Sequence, residues 1–381
     1  MNNINKIGDF NPRALYFIYY VNVFSPSCTY RRLNVMQLRL IKPAELDQAA
    51  LLANSIFREA GATSMKELFP LIFRPGLSHS YAAIAEDGSV AAFMGLVPST
   101  IKTGDAVLNV FSIGAVCTDP AFRGQGLAGQ LLEKCQSHAA EADAALIFVS
   151  GDRSLYTRAG CVPFGGTQFA ELSASSAQAL AAAAGEEWTL RPMQPGDFFA
   201  VYRLLNERET GHVYSPGELA LLLGTEAYAG VLGKAQRTLV AVRDGSIEGF
   251  AAVAVPAADV STPSSATAVE WAGQPSAVAA LLAKAALCSG GALQVPVPWQ
   301  ERGLLALLRE SGASLSAGTN SGTVCIADRE ALLRQTEGCR KGLDLSSVQD
   351  DKELISLLFD PASSEASDAI PLPYMSGLHF I

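Results

Sequence analysis

The sequence predicts two similar α/β halves, and two repeated patterns support this prediction. A β-rich hairpin closed by an Asp-Gly pair occurs at 87–88 and again at 244–245, and Asp-Gly is a strong signal for a tight turn between antiparallel strands. A short strand, a Pro-containing polar turn and a helix open both halves, as LRLIKPAEL (38–46) and as TLRPMQPGDF (189–198). A pattern that recurs in this way indicates a repeated structural unit.

The elements of the first half follow from hydrophobic spacing and turn residues. They are a strand over 38–45, a helix over 47–59, a hairpin over 81–97, a strand over 107–117, a helix from 127, a strand over 144–149 and a brief helix that Asp152 caps and Gly160 ends. Within the strand over 107–117, Gly114 indicates a bulge or a close backbone approach.

The domain boundaries follow from composition. Residues 176–187 lie in an Ala- and Ser-rich stretch of low complexity, which is typical of a linker. The prediction is therefore an extension at 1–35, a first domain at 36–175, the linker, a second domain at 188–335 and a tail at 336–381. The tail is too short for a third domain of ordinary size.

Composition excludes several classes of protein. The chain has 381 residues, of which 49% are hydrophobic and 17% charged, as in an ordinary globular protein. The formal charge of −9 argues against nucleic acid or an anionic membrane as a bulk partner. None of the seven cysteines stands in CxxC spacing, which favours reduced thiols in a cytoplasmic protein over a zinc knuckle or a disulfide framework.

Residues 14–24 form an apolar run, ALYFIYYVNVF, that is shorter than the roughly 20 residues needed to span a bilayer. Three interpretations are open: a secretory signal, a folded extension, or a stretch upstream of a functional start at Met36. The weak small-residue cleavage pattern argues against the signal. We expect residues 1–35 to be a poorly ordered extension.

The informative motif is RGQGLAG (123–129), which follows a strand and opens a helix. Glycines let several backbone amides point at one spot, and the helix N-terminus adds partial positive charge, so the segment can bind phosphates. The motif is not a Walker loop, because Gly-Lys-Ser/Thr is missing, and it is not the dinucleotide fingerprint. Taken alone, it fits a structural glycine-rich helix start as well.

The order of the surrounding segments resembles the GNAT superfamily of N-acetyltransferases. VFSIGAVCTDP, AFRGQGLAGQLL, a helix, ALIFVSG and DRSLYTRAGCVPFG follow one another between 110 and 165. The family signature, Gln/Arg-x-x-Gly-x-Gly/Ala after the fourth strand, is filled by Arg123, Gly126 and Ala128. The resemblance implies an α/β (α+β) fold of two tandem GNAT-like domains, each a mixed, mostly antiparallel sheet flanked by helices.

The resemblance also implies that acetyl-CoA is the co-substrate and that no metal takes part. The loop amides would bind the pyrophosphate, and backbone groups at the end of the preceding strand would hold the pantetheine arm. The implied cofactor-binding residues are Val116, Cys117, Thr118, Arg123, Gly124, Gln125, Gly126, Leu127, Ala128, Gly129 and Ser150.

The second half lacks the loop, because EWAGQPSA (270–277) stands where it should appear. This half resembles a degenerate GNAT repeat, as in tandem members such as mycothiol synthases and enhanced-intracellular-survival-type aminoglycoside acetyltransferases. The resemblance implies a structural role in which the second half completes the acceptor cleft.

Tyr156 is the candidate general acid that the resemblance implies. A phenol with pKa near about 10 can protonate a departing thiolate whose pKa is near about 8.5. The family has Gly-Phe after this helix, whereas this chain has Gly160-Cys161. The alternative role for Tyr156 is packing.

The general base is open. Glu86 and Asp87 are predicted turn formers, His79 is predicted to be structural, and His138 is expected to be exposed in mid-helix. Arg153 and Arg158 would flank the cleft or lie in solvent. Deprotonation through water remains an alternative, and no cysteine nucleophile is indicated, so direct transfer is favoured.

The end of the sequence is apolar and aromatic, which predicts docking between the two halves. Its large side chains are Tyr374, Met375, Leu378, Phe380 and Ile381. In the enhanced-intracellular-survival-type enzymes the terminal carboxylate lies in the active site as the base, which makes Ile381 a catalytic candidate by resemblance. This chain departs from that family because it lacks room for the third domain. The alternative is a segment that only covers apolar surface.

Two function classes follow. The first is an acetyl-CoA-dependent N-acetyltransferase acting on an amine of a small molecule or peptide, without nucleic-acid or membrane partners and with homo-oligomerisation left open. The second is a non-catalytic acyl-CoA-binding or sensing protein that keeps the loop and has lost the acceptor chemistry. Tyr156 favours the enzyme.

Overall fold

The computed structural model describes residues 36–381 except 60, 77–78, 186, 257–264, 291, 341–344, 346 and 362–367. The expectations for the extension at 1–35 lie outside these residues. None of the helices within the described part is long and apolar enough to cross a membrane.

The described residues form strands and helices that are numbered here in chain order. The strands are β1 (Gln37–Leu40), β2 (Tyr81–Ile84), β3 (Val90–Thr103), β4 (Ala106–Thr118), β5 (Leu146–Val149), β6 (Gly166–Leu172), β7 (Thr189–Pro192), β8 (Thr210–His212), β9 (Lys234–Arg243), β10 (Ser246–Pro256), β11 (Ala266–Gly273), β12 (Leu293–Pro298), β13 (Ser314–Thr319) and β14 (Thr323–Ile326). The helices are α1 (Leu46–Phe57), α2 (Met65–Leu68), α3 (Pro70–Phe73), α4 (Leu127–Glu141), α5 (Ser154–Arg158), α6 (Ala174–Ala184), α7 (Phe198–Glu207), α8 (Pro216–Thr225), α9 (Ala227–Val231), α10 (Pro275–Cys288), α11 (Arg302–Glu310), α12 (Arg329–Gln335) and α13 (Asp351–Phe359).

Two mixed sheets with corresponding strand orders organise the chain. The first runs β1-β2-β3-β4-β5-β14, with β8 paired to β3, and the second runs β7-β9-β10-β11-β12-β6-β13. In each sheet the central pairings are antiparallel except one, β4 with β5 in the first and β11 with β12 in the second. The predicted fold class, two mixed and mostly antiparallel sheets flanked by helices, is confirmed.

The two sheets exchange strands. β6 pairs with β12 and β13 of the second sheet, whereas β14 pairs with β5 of the first and β8 pairs with β3. The predicted boundaries at 175 and 188 therefore do not separate two self-contained sheets, because each predicted half supplies strand to the sheet of the other.

The segment predicted as a linker is a helix. α6 begins at a capping box, in which the Ser173 hydroxyl accepts from the Ser176 amide, and it buries Ala177, Leu180 and Ala184 in the core of the second sheet. The linker prediction is wrong here because alanine has the highest helix propensity of all residues, so an alanine run with a buried face folds as a helix.

Both halves open with the same ion pair between a strand and the following turn. The Arg39 guanidinium donates to both oxygens of Glu45, at 2.8 and 2.7 Å. In the second half Arg191 donates in the same way to Asp197, at 2.6 and 2.9 Å. These two pairs, called the opening clamps below, join the ends of the repeated motif detected in the sequence.

One hydrophobic core is shared by the two halves. It includes Phe93 and Val97 of β3 together with Val240 of β9 and Phe250 of β10, and the tail contributes Leu378 and Ile381 to the same cluster. The two sheets consequently pack against each other through a common apolar layer, and the last residues of the chain lie within it.

Candidate active site

The glycine loop lies between β4 and α4. The Asp119 carboxylate accepts from the Ala121 amide at 2.8 Å and fixes the turn that leaves β4. Gly124 and Gly126 have φ of 78° and 73°, a left-handed conformation that favours glycine. A Cβ on Gly124 would meet nothing within 4 Å, so glycine is required there by backbone conformation and not by crowding.

Gly126 is the N-cap of α4 and has no capping side chain. The first amides of a helix have no partner within the helix, and the helix dipole adds partial positive charge there. The loop is exposed while Leu127 is buried in the core, so the side chain of Leu127 anchors α4 and only its backbone amide is available to a ligand.

β4 carries a bulge close to its C-terminal end. Its register against β3 shifts between Gly95↔Gly114 and Phe93↔Cys117, and Ala115 has φ of 50°, which is uncommon for a residue other than glycine. The predicted irregularity at Gly114 is therefore present. A bulge turns backbone groups away from the ladder and towards the cleft.

β4 and β5 pair only up to Ile113↔Val149. Beyond this pairing a cavity of about 550 Å³ lies between the continuation of β4 and the chain that follows β5. Its lining contains Val116, Cys117, Thr118, Arg123, Ala128, Ser150, Arg153 and Tyr156. Most of the predicted cofactor-binding residues thus surround one space, and the exposed loop residues 124–126 continue from its edge.

Tyr156 lies in α5 and lines this cavity. Its ring passes Gly151 closely, since a Cβ on Gly151 would lie 3.5 Å from Tyr156 Cε2. Burial raises the pKa of Tyr156, and the charge of Arg153 opposes this in part. The phenol is therefore protonated at neutral pH. The prediction that Asp152 caps this helix is wrong, because Arg153 occupies the N-cap position and no side chain caps it.

Ile381 reaches the bulge from the other side. A Cβ on Gly114 would lie 2.5 Å from the carbonyl carbon of Ile381, so only glycine admits the tail at this point. The tail is held upstream by Asn320, which donates to Pro373 O at 2.8 Å and accepts from the Met375 amide at 2.9 Å. The tail docks between the two halves.

Other candidates from the sequence lie elsewhere. Asp87 accepts from the amide and hydroxyl of Ser89 and is a turn former. The prediction that His138 is exposed is wrong: its ring is half-buried, with Nε2 3.2 Å from His79 Nδ1 and Nδ1 3.2 Å from the Tyr81 hydroxyl. Burial raises the pKa of the Cys117 thiol to about 12, which argues against a thiolate nucleophile.

A buried polar cluster beside the tail was missed by sequence reasoning. His379 Nε2 lies 3.1 Å from Glu218 Oε1, and the His379 ring stacks on His212 with 4.1 Å between centroids. Nearby, Arg208 donates to Glu270 at 2.5 Å. The signal available in the sequence was the position of His379 two residues before Ile381; its partners come from distant segments.

Burial sets the electrostatics of this cluster. Burial, with the nearby His379 and Arg208, holds the pKa of His212 well below its usual range, so His212 is neutral at neutral pH. Burial raises the pKa of Glu218, but contact with His379 and its charge outweigh burial and leave the pKa below its usual value.

The comparisons with known proteins agree with this geometry. A family model described as an acetyltransferase (GNAT) domain matches residues 37–164. Residues 37–164 are therefore similar to a GNAT domain and are called the GNAT domain below. That span contains the bulge, the glycine loop and Tyr156, whereas the second sheet lies beyond it. No curated protein matches the sequence.

Solved structures resemble the chain well beyond the GNAT domain. A conserved Enterococcus faecalis protein described as a probable N-acyltransferase has a TM-score of 0.61 at 14% identity, covering 79% of this chain and 75% of that one. A GCN5-related N-acetyltransferase from Anabaena variabilis has 0.58 at 16% identity, covering 77% and 73%. Eis1 from Mycobacterium abscessus has 0.56 at 13% identity, covering 79% and 76%. At these sequence identities the likeness establishes only the fold, and it extends over both halves of the chain.

Proposed function

We propose that this protein is an acetyl-CoA-dependent N-acetyltransferase that transfers the acetyl group directly to an amine of a small molecule or peptide. The GNAT domain supports acyl transfer in general. The choice of acetyl-CoA and of an amine acceptor rests on the resemblance and on the cavity beside the glycine loop. In this proposal the second half is a degenerate repeat that completes the acceptor cleft, and the protein acts in the cytoplasm.

The amides at the start of α4 would bind the pyrophosphate of acetyl-CoA, and the pantetheine arm would lie along 116–118 between the separated strands. The amine nitrogen attacks the thioester carbonyl, and the C–N bond forms as the C–S bond breaks. Tyr156 donates its proton to the departing sulfur. Tyr156 then regains a proton from solvent, while the amine gives up one proton to the base, so that overall the amine loses one proton and the thiol gains one.

The amine proton needs an acceptor at the bulge. In a chain that ends at Ile381, the α-carboxylate would lie beside Gly114 and would be ionised at neutral pH. We propose it as the base. The observation that supports the whole arrangement best is that the tail end and the Tyr156 cavity meet at one bulged strand.

The test is acetyl-CoA turnover, followed as thiol release, against aminoglycosides, polyamines, amino acids and peptide N-termini. For an acceptor that is turned over, Tyr156→Phe should lower kcat about 100-fold with little change in acetyl-CoA affinity. Tyr202→Phe, a half-buried tyrosine of α7 outside the site, is the matched control and should change neither quantity.

The competing function is a non-catalytic acyl-CoA-binding protein. It predicts acetyl-CoA binding by calorimetry, no thiol release with any amine, and no effect of Tyr156→Phe. Binding without turnover across the panel would favour this alternative and count against the enzyme.

A further inference from the structure

A second, very small cavity adjoins the proposed reaction site. Its volume is about 20 Å³. Apolar side chains of β4, β5 and the tail form part of its lining, and the polar part comes from His379 and from four serines: Ser112, Ser150, Ser321 and Ser376. Ser150 also lines the large cavity that contains Tyr156. A space of this size holds about one water molecule, and hydroxyl groups are suitable partners for it.

His379 borders this small cavity with its ring almost entirely buried, since only 3% of its side chain is exposed. Three groups face the ring from different elements. Glu218 Oε1 of α8 lies 3.1 Å from Nε2, the His212 ring of β8 stacks on it at 4.1 Å, and the Tyr214 ring lies 5.4 Å away. In a chain that ends at Ile381, the terminal carboxylate would belong to a residue that lines the same small cavity.

Glu218 is itself held in place. It occupies the third position of α8, where its amide donates to the Ser215 hydroxyl at 3.2 Å. About a quarter of its side chain, 24%, is exposed. The carboxylate therefore contacts the buried histidine on one side and solvent on the other, which is the arrangement needed to pass a proton outwards.

The groups around His379 suit a residue that takes up a proton and passes it on. His212 is neutral and does not add a second positive charge to the stack, and the Glu218 carboxylate stabilises an imidazolium next to it. Tyr214 lies beyond the ring with a pKa that burial raises well above its usual value, so it stays protonated and does not compete for the proton.

We propose that His379 is a proton-relay residue that removes the amine proton from the acyl-transfer site through a single water in the small cavity and passes it to solvent by way of Glu218. This rests on the proposed function. The proton leaves the amine, reaches His379 through the water, directly or after the Ile381 carboxylate has taken it up, and the neutral imidazole is restored when the proton leaves at Glu218.

The test uses full-length protein and the best acceptor from the turnover panel. His379→Ala should lower kcat about 100-fold with unchanged KM for acetyl-CoA, and added imidazole should restore part of the lost rate. His379→Gln, which keeps a polar group in the same place, covers the case in which the alanine variant fails to fold. The matched control is His138→Ala in the other histidine pair, for which kcat should be unchanged and imidazole without effect.

A second readout is the pH dependence of kcat. Glu218→Gln removes the charge that stabilises an imidazolium, so the acid limb of the profile should move to lower pH. A merely structural role for His379 would give neither imidazole rescue nor this shift.

The outcomes separate the two proposals. Turnover that persists at the wild-type rate in folded His379→Ala and His379→Gln would overturn the relay while leaving the N-acetyltransferase intact. Absence of thiol release in the wild-type protein would overturn the proposed function itself. A rate loss without imidazole rescue and without a shifted acid limb would assign His379 to packing and also overturn the relay.

Discussion

The two halves share their framework and differ at one point, the connection from the central strand to the next helix. Both have an opening clamp, a one-residue bulge in the central strand and one parallel pairing. Both open into a cavity beside that pairing, about 550 Å³ in the first and about 530 Å³ in the second. Residues 119–126 separate β4 from α4, whereas Gln274 alone separates β11 from α10.

The arginines of the two clefts also differ in their partners. In the second cleft Arg208 is paired with Glu270 and Glu301, at 2.5 and 3.3 Å, so the buried arginine is already engaged by carboxylates of the protein itself. In the first cleft Arg123 and Arg153 line an open cavity beside free helix amides. The same framework can thus occur with a glycine loop in one half and without one in the other, because framework and loop depend on different residues.

The largest expected effect is on the stability of the second half. Arg208→Met leaves the buried Glu270 carboxylate without its partner, which should lower the free energy of unfolding by about 3–5 kcal/mol in urea denaturation. Adding Glu270→Met should recover most of the loss, because it removes the uncompensated charge. Arg302→Met, at an exposed arginine of the same cleft, should stay within about 0.5 kcal/mol. An equal loss in both single variants would contradict the assignment of a structural ion pair.

The next effect is on catalysis at the bulge of the first half. Gly114→Ala places a methyl group where the tail end lies and should displace the tail, lowering kcat about 100-fold while acetyl-CoA still binds. The control is Gly224→Ala in α8, where a Cβ meets nothing within 4 Å. That variant should be neutral in rate and slightly more stable. Normal turnover in folded Gly114→Ala would show that the tail contact is dispensable.

A smaller effect is expected on acetyl-CoA affinity. Gly126→Asp forces a side chain into a left-handed backbone position and adds a negative charge beside the phosphates, so affinity should fall at least tenfold, about 1.4 kcal/mol. Calorimetry measures this. The corresponding change at the second helix, Gln274→Asp, should leave affinity unchanged; if both variants bind normally, the loop is not the phosphate site.

The smallest effect concerns the opening clamps, which should behave alike in the two halves. The Arg39 hydrogen bonds lower the pKa of Glu45 to about 2, and those of Arg191 lower the pKa of Asp197. Because the pKa is lower in the folded state, the ion pair stabilises the fold fully above the unfolded-state pKa of about 4. This stabilisation is lost as the pH falls through the folded-state pKa. Arg39→Met and Arg191→Met should each cost roughly 1 kcal/mol at pH 7, and the cost should vanish below the folded-state pKa values, as followed by thermal unfolding.

The sequence predicted what depends on local patterns. The repeated opening motif, the Asp-Gly hairpins and the start of α4 at Leu127 are confirmed because spacing and turn chemistry are properties of contiguous residues. Gly114 was a correct indication for the same reason: a lone glycine in a β-rich run reports a local irregularity.

The strand exchange, helix α6 and the His379–Glu218 contact were not predicted. Each depends on a contact between segments that are far apart in the sequence. β5 pairs with β14, Leu180 packs in the core of the second sheet, and His379 contacts Glu218 and His212. The composition of residues 176–187 does not indicate which side chains are buried. No sequence motif around His379 indicates which residues it contacts.

The exchange of β14 into the first sheet bears on how the protein is made. β5 is apolar along its whole length and completely buried in the finished molecule, yet its neighbour on one side belongs to a segment synthesised after almost all of the second sheet. Until β14 has been synthesised, a folded GNAT domain would therefore have an open strand edge of Leu, Ile, Phe and Val, the kind of edge that pairs with other chains. Pairing with Thr323–Ile326 closes that edge in the finished molecule, so a protein truncated before β14 should be more prone to aggregation.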